Sequence, residues 1–74
     1  MSRTFSLVCH ATKEFVGVGQ GPDSKTMKYL WYTPTHAENV REFFNSTFGK
    51  EIVLMDDEYL HTDYDTEEYK EYGQ

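Results

Sequence analysis

Thr33-Pro34-Thr35-His36-Ala37-Glu38-Asn39-Val40-Arg41-Glu42-Phe43-Phe44-Asn45-Ser46-Thr47-Phe48-Gly49 is the stretch that decides the fold. Thr35-His36-Ala37-Glu38 has the pattern of a capping box. In such a box the threonine hydroxyl accepts from an orphan amide of the first turn, and the glutamate reaches back to the cap. Ala37, Val40, Phe44 and Phe48 recur at helical spacing with Phe43 beside them, while Arg41, Glu42 and Asn45 lie nearer the opposite side. Gly49 supplies a left-handed stop. The stretch therefore predicts one amphipathic helix over 35–48, which needs an apolar surface to cover.

The flanking residues supply that surface as strands. Residues 4–10 are mostly β-branched, aromatic or aliphatic, with Phe5, Leu7 and Cys9 on one face. Thr12-Lys13 is a polar turn, and 14–20 reads as a second strand with Phe15 on one face and Val16 and Val18 on the other. Gly17, Gly19 and Gly21 interrupt that strand and lead through Pro22-Asp23-Ser24 into a loop reaching about Thr26. A third strand covers 27–32, with Met27, Tyr29 and Trp31 on one face, and Thr33-Pro34 ends it. The apolar run over 51–55 is a fourth strand, suited to the inside of a sheet.

The fold class is thus α+β: a small three- to four-stranded, mostly antiparallel sheet in the order β-β-β-α-β, one amphipathic helix packed on one face, and an acidic C-terminal tail. Phe5, Leu7, Phe15, Tyr29, Trp31, Val40, Phe44, Phe48, Ile52 and Leu54 are the expected core. Residues 1–60 form the domain. Residues 61–74 form an acidic, tyrosine-containing segment, partly flexible or a short helix over 66–73.

A chain of 74 residues is one domain with a thin core. Cys9 is its single cysteine, which excludes a disulfide within the chain and fits a reducing cytoplasm. No stretch approaches the roughly 18 apolar residues of a membrane span, and the first residues lack the pattern of a secretory signal. A cytoplasmic protein, monomer or homodimer, is expected.

The net charge of −6 is unevenly placed. Residues 1–50 carry four acids against six bases, whereas 51–74 carry nine acids against Lys70 alone. Such a block repels nucleic-acid phosphate and anionic membranes and attracts basic protein surfaces over a Debye length of about 8 Å. Direct nucleic-acid binding and membrane binding are therefore not expected.

Motifs that would announce chemistry fail on their defining positions. Gly17-Val18-Gly19 opens like a dinucleotide fingerprint, but Pro22 stands where the third glycine belongs and a strand follows instead of a helix. A phosphate loop over 19–26 has Ser24 where glycine is required. Asp63-Tyr64-Asp65-Thr66-Glu67 begins like a calcium loop, yet Glu68 and Gln74 occupy the glycine and bidentate glutamate positions. Strand alternation sends Cys9 and His10 to opposite faces, and a Cys9 nucleophile would need His36 or His61 and an oxyanion site brought to it.

With no catalytic constellation and no cofactor motif, the expectation is a non-enzymatic interaction module. Its contact surface comprises Asp56, Asp57, Glu58, Tyr59, Asp63, Tyr64, Asp65, Glu67, Glu68, Tyr69, Glu71 and Tyr72, facing a basic protein partner. Tyrosine supplies amphipathic area and carboxylates supply steering. One form of this reading is a nucleic-acid mimic or inhibitor, in which the carboxylates occupy a phosphate-binding groove. The alternative is a small metal-binding protein using Cys9 and the histidines.

Overall fold

The polar turn at Thr12-Lys13 folds the first two apolar stretches onto each other. Strand β1 (Arg3–Cys9) pairs antiparallel with β2 (Glu14–Gly21), from Cys9 opposite Glu14 to Arg3 opposite Gly21. Lys13 takes a φ of 57°, the left-handed conformation that tight turns use. The computed structural model describes residues 3–73; Met1, Ser2 and Gln74, the last residue of the predicted acidic segment, lie outside them.

The glycines do not interrupt β2, which runs unbroken to Gly21 with one irregularity in register opposite Phe5 and Ser6. Their lack of side chains serves a close approach instead. A Cβ on Gly19 would stand 2.2 Å from the Tyr29 carbonyl oxygen, and one on Gly21 would stand 1.7 Å from that of Thr26. The returning chain lies against them, and β3 shrinks to Tyr29–Leu30.

The sheet has the order β3-β2-β1-β4, where β4 (Val53–Asp56) pairs antiparallel with β1. The fourth strand is thus at an edge, not inside the sheet as its apolar run suggested. A fifth strand, β5 (Lys70–Tyr72), pairs parallel with the start of β2 and shares its outer edge with β3. The predicted helix over 66–73 is instead a 3-10 turn, Thr66–Glu68, followed by this strand.

Helix α1 (Pro34–Ser46) begins before the predicted capping box. Its cap is Thr33, whose Oγ1 accepts from the His36 amide, and Pro34 sits in the first turn, where its missing N–H is no loss. The same proline that stops a strand therefore starts the helix. A second helix, α2 (Asp57–Asp63), is capped by Asp56, whose carboxylate accepts from the Glu58 amide.

The two helices cover opposite faces. On the α1 face Phe5, Cys9, Val16, Val18 and Phe43 are buried, with Leu7, Val40, Ile52 and Tyr72 against them. On the α2 face Val8, Phe15 and Leu60 are buried, with Val53, Met55 and Tyr69 alongside. The predicted core is corrected at its helix: Phe43 is buried, while Phe44 is 46% and Phe48 89% exposed. Tyr29 and Leu54 are exposed as well. Tyr72 of β5 packs edge-on against Phe43, and Ser46 donates to Glu14; these contacts turn the Phe43 and Thr47 side of α1 inward.

Candidate interaction surface

The acidic segment is built onto the sheet by three kinds of contact. The first is backbone pairing of β5 with β2. The second is a buried polar cluster: Glu14, at the start of β2, accepts from the Tyr72 hydroxyl and from Ser46 Oγ. Burial pushes the Glu14 carboxyl up, but the hydrogen bonds from Tyr72 and Ser46 and the charge of Lys70 outweigh it and hold the group below its ordinary value.

The third is pairing with cations of the first strand and of the turn that follows it. Arg3 donates to Glu58, and its Nη1 lies 3.3 Å from Asp56 Oδ2. Lys13 donates to Glu68 at 2.7 Å; the bond raises the lysine and lowers the glutamate relative to their ordinary values. Two of the six bases of residues 1–50 are thus spent on the acidic residues 51–74.

These contacts divide the predicted surface residues. Asp56 is buried as the α2 cap, and Asp57 is half-buried with Ser6 donating to it. Burial raises the Asp57 carboxyl above its ordinary value, with the Ser6 bond opposing. Tyr69 and Tyr72 face inward, toward Phe15 and Phe43. Glu58 and Glu68 are exposed and paired, and Glu71 is exposed on β5. Asp63, Asp65 and Glu67 are exposed and make no salt bridge among the described residues. Tyr59 is 53% and Tyr64 41% exposed.

The groups proposed for metal binding are dispersed into separate contacts. Cys9 is fully buried. His10 stacks on Tyr64 with ring centroids 4.1 Å apart and lies 2.9 Å from the Tyr69 hydroxyl. His36 bonds to Thr33 and His61 to Thr66. Among the described residues no group of three or more His, Cys, Asp or Glu side chains is placed to hold a metal ion. No described helix is long and apolar enough to cross a membrane.

Two features escaped the sequence reading. Glu14 gave no signal, being one acid in a strand. The second is an apolar groove of about 710 Å³ on the α1 face, lined by Leu7, Leu30, Trp31, Phe44 and Leu54 with Arg41 at its charged margin. Its residues are visible in the sequence, but the apolar character of Trp31, Phe44 and Leu54 does not by itself distinguish a groove lining from a core. Comparison of the chain with protein families, with curated proteins and with solved structures finds no match.

Proposed function

We propose that this protein is a non-enzymatic interaction module that engages a basic protein surface through the exposed part of its acidic segment. The observation that carries the reading is the placement of Asp63 at the end of α2 and of Asp65 and Glu67 between α2 and β5, two elements fixed to the sheet on either side. Carboxylates held on ordered backbone lose little conformational freedom on binding. Exposed Tyr59 and Tyr64 add amphipathic contact area beside them. Asp56, Asp57, Tyr69 and Tyr72 serve the fold, so the contact set narrows to Tyr59, Asp63, Tyr64, Asp65 and Glu67, with Glu58, Glu68 and Glu71 at its margins.

The test substitutes exposed acids, because residues 70–72 are a strand of the sheet. The native chain and the variant Asp63→Asn, Asp65→Asn, Glu67→Gln are each immobilised and presented to lysate of the native host at low and high salt. The expected result is a basic protein retained by the native chain at low salt and released by salt or by the triple substitution. Identical capture by both chains rejects the reading. Displacement of the captured protein by duplex DNA would identify the nucleic-acid-mimic form of it.

A further inference from the structure

The outer edge of β2 is covered from both ends and left open between them. β5 pairs with residues 14–16 and β3 with Gly19 and Gln20, and a cavity of about 250 Å³ lies at Gly17, in the gap. The register of β1 against β2 slips at the same place, since Ser6 opposes Gly17 while Phe5 opposes Gly19. Irregularities of this kind are over-represented beside functional sites. The Trp31 ring closes one side of the cavity: a Cβ on Gly17 would stand 3.0 Å from Cζ3 of the indole.

Its charged lining is acidic. Asp57 enters from the start of α2 and Glu71 from β5, with Thr4, His36 and Asn39 as further polar walls, and among the described residues no lysine or arginine lines it. The Tyr72 hydroxyl is committed to Glu14, and His36 Nδ1 to Thr33. Cations elsewhere on this side are engaged: Arg3 with Asp56 and Glu58, Lys13 with Glu68, and Lys70 over the Tyr72 ring at 4.5 Å. Asp57 accepts from Ser6, while the charged groups acting on it are His61 and Asp56. Burial raises its carboxyl above the ordinary value. The fold gains nothing from this charge. A desolvated carboxylate held in a cleft without a basic partner marks a site that a ligand completes.

We propose that this cavity binds a guanidinium group, the end of an arginine side chain on the basic partner. A guanidinium carries five N–H donors in a planar fork, whereas an ammonium is a compact point charge. The fork suits acceptors that arrive from separate elements: the Asp57 carboxylate from α2, Glu71 from β5 and the Thr4 hydroxyl from β1. Guanidinium is also the more weakly hydrated cation and enters a cleft walled partly by Val16 and Trp31 at a smaller desolvation cost. The source of the arginine rests on the proposed function. The site does not, because Asp63, Asp65 and Glu67 do not line it.

The test uses the full chain and a free probe, N-acetyl-arginine amide, titrated at constant ionic strength and followed by amide NMR. The Gly17 amide and the indole N–H of Trp31, the single tryptophan of the chain, should shift along a saturable curve. The citrulline analogue, a neutral isostere, should leave them in place. Asp57→Asn keeps an acceptor for Ser6 and should weaken binding about tenfold or more. Glu71→Gln is the second variant and should weaken it too. The variant Asp63→Asn, Asp65→Asn, Glu67→Gln should bind the probe as the native chain does, so loss of partner capture and loss of this site are read separately. Equal affinity of the native chain and Asp57→Asn overturns the proposal. So does an absence of saturation, or shifts confined to residues 63–67, which would place the arginine on the exposed acids instead.

Discussion

The Tyr72 hydroxyl donates to the buried Glu14 carboxylate, tying the fifth strand to the first residue of the second across 58 positions of sequence. Tyr72→Phe keeps the ring against Phe43 and removes the donor. A hydrogen bond to a charged, buried group contributes about 1.5–3 kcal/mol. Urea denaturation of this variant should show a loss of that size, and a loss near zero would mean that Glu14 is satisfied without Tyr72.

Glu14 also sets part of the acid limit of the fold. Its folded carboxyl lies below its ordinary value, so on acidification the unfolded chain binds the proton first. The stability it contributes is complete above the ordinary glutamate range, about pH 4.3, and is lost as pH falls through the folded value. A melting-temperature profile against pH should show this acid loss, and Glu14→Gln should flatten it.

Asp57 works in the other direction. Burial raises its folded carboxyl above the ordinary value, so its contribution is fullest below the ordinary aspartate range, about pH 3.9, and is lost as pH rises through the folded value. Asp57→Asn keeps an acceptor for Ser6 and removes the ionisation. It should be more stable than the native chain at neutral pH, with the difference closing as the solution is acidified.

Phe43 and Phe44 are adjacent and opposite in consequence. Phe43→Ala empties a fully buried site and should cost about 3–5 kcal/mol. Phe44→Ala removes a half-exposed ring and should cost about 1 kcal/mol or less in dilute solution. Equal losses for the two, measured by chemical denaturation, would refute the orientation of α1.

The two cations that hold the acidic segment differ in burial. Arg3→Gln leaves the Asp56 carboxylate, 1% exposed, without its charge partner, and should cost about 3 kcal/mol. Lys13→Gln breaks a pair in which both side chains are more than half exposed, so solvent screening makes its loss the smaller of the two. Guanidinium titrations of the two variants should rank them in that order.

The sequence carried the helix because its period and its polar start are local signals, and the strands β1, β2 and β4 because alternation is local too. Its orientation was harder. The buried stripe of α1 includes Thr47 and half-buried His36 and Asn39, so apolar periodicity selected the neighbouring stripe through Phe44 and Phe48. Lys70-Glu71-Tyr72 has no apolar alternation to mark a strand; backbone pairing with β2 and the Tyr72–Glu14 bond make it one. For the candidate surface, the density of acids was visible, but the partners Arg3 and Lys13 lie about fifty positions away. No spacing rule in the sequence relates them to Asp56, Glu58 and Glu68.

The shared outer edge of β2 has a consequence during synthesis. Residues 14–16 emerge from the ribosome well before 70–72, and until β5 arrives their backbone amides and carbonyls stand open to any neighbouring nascent chain. A chain lacking residues 70–72 keeps that edge open, so deleting them should raise aggregation and lower soluble yield.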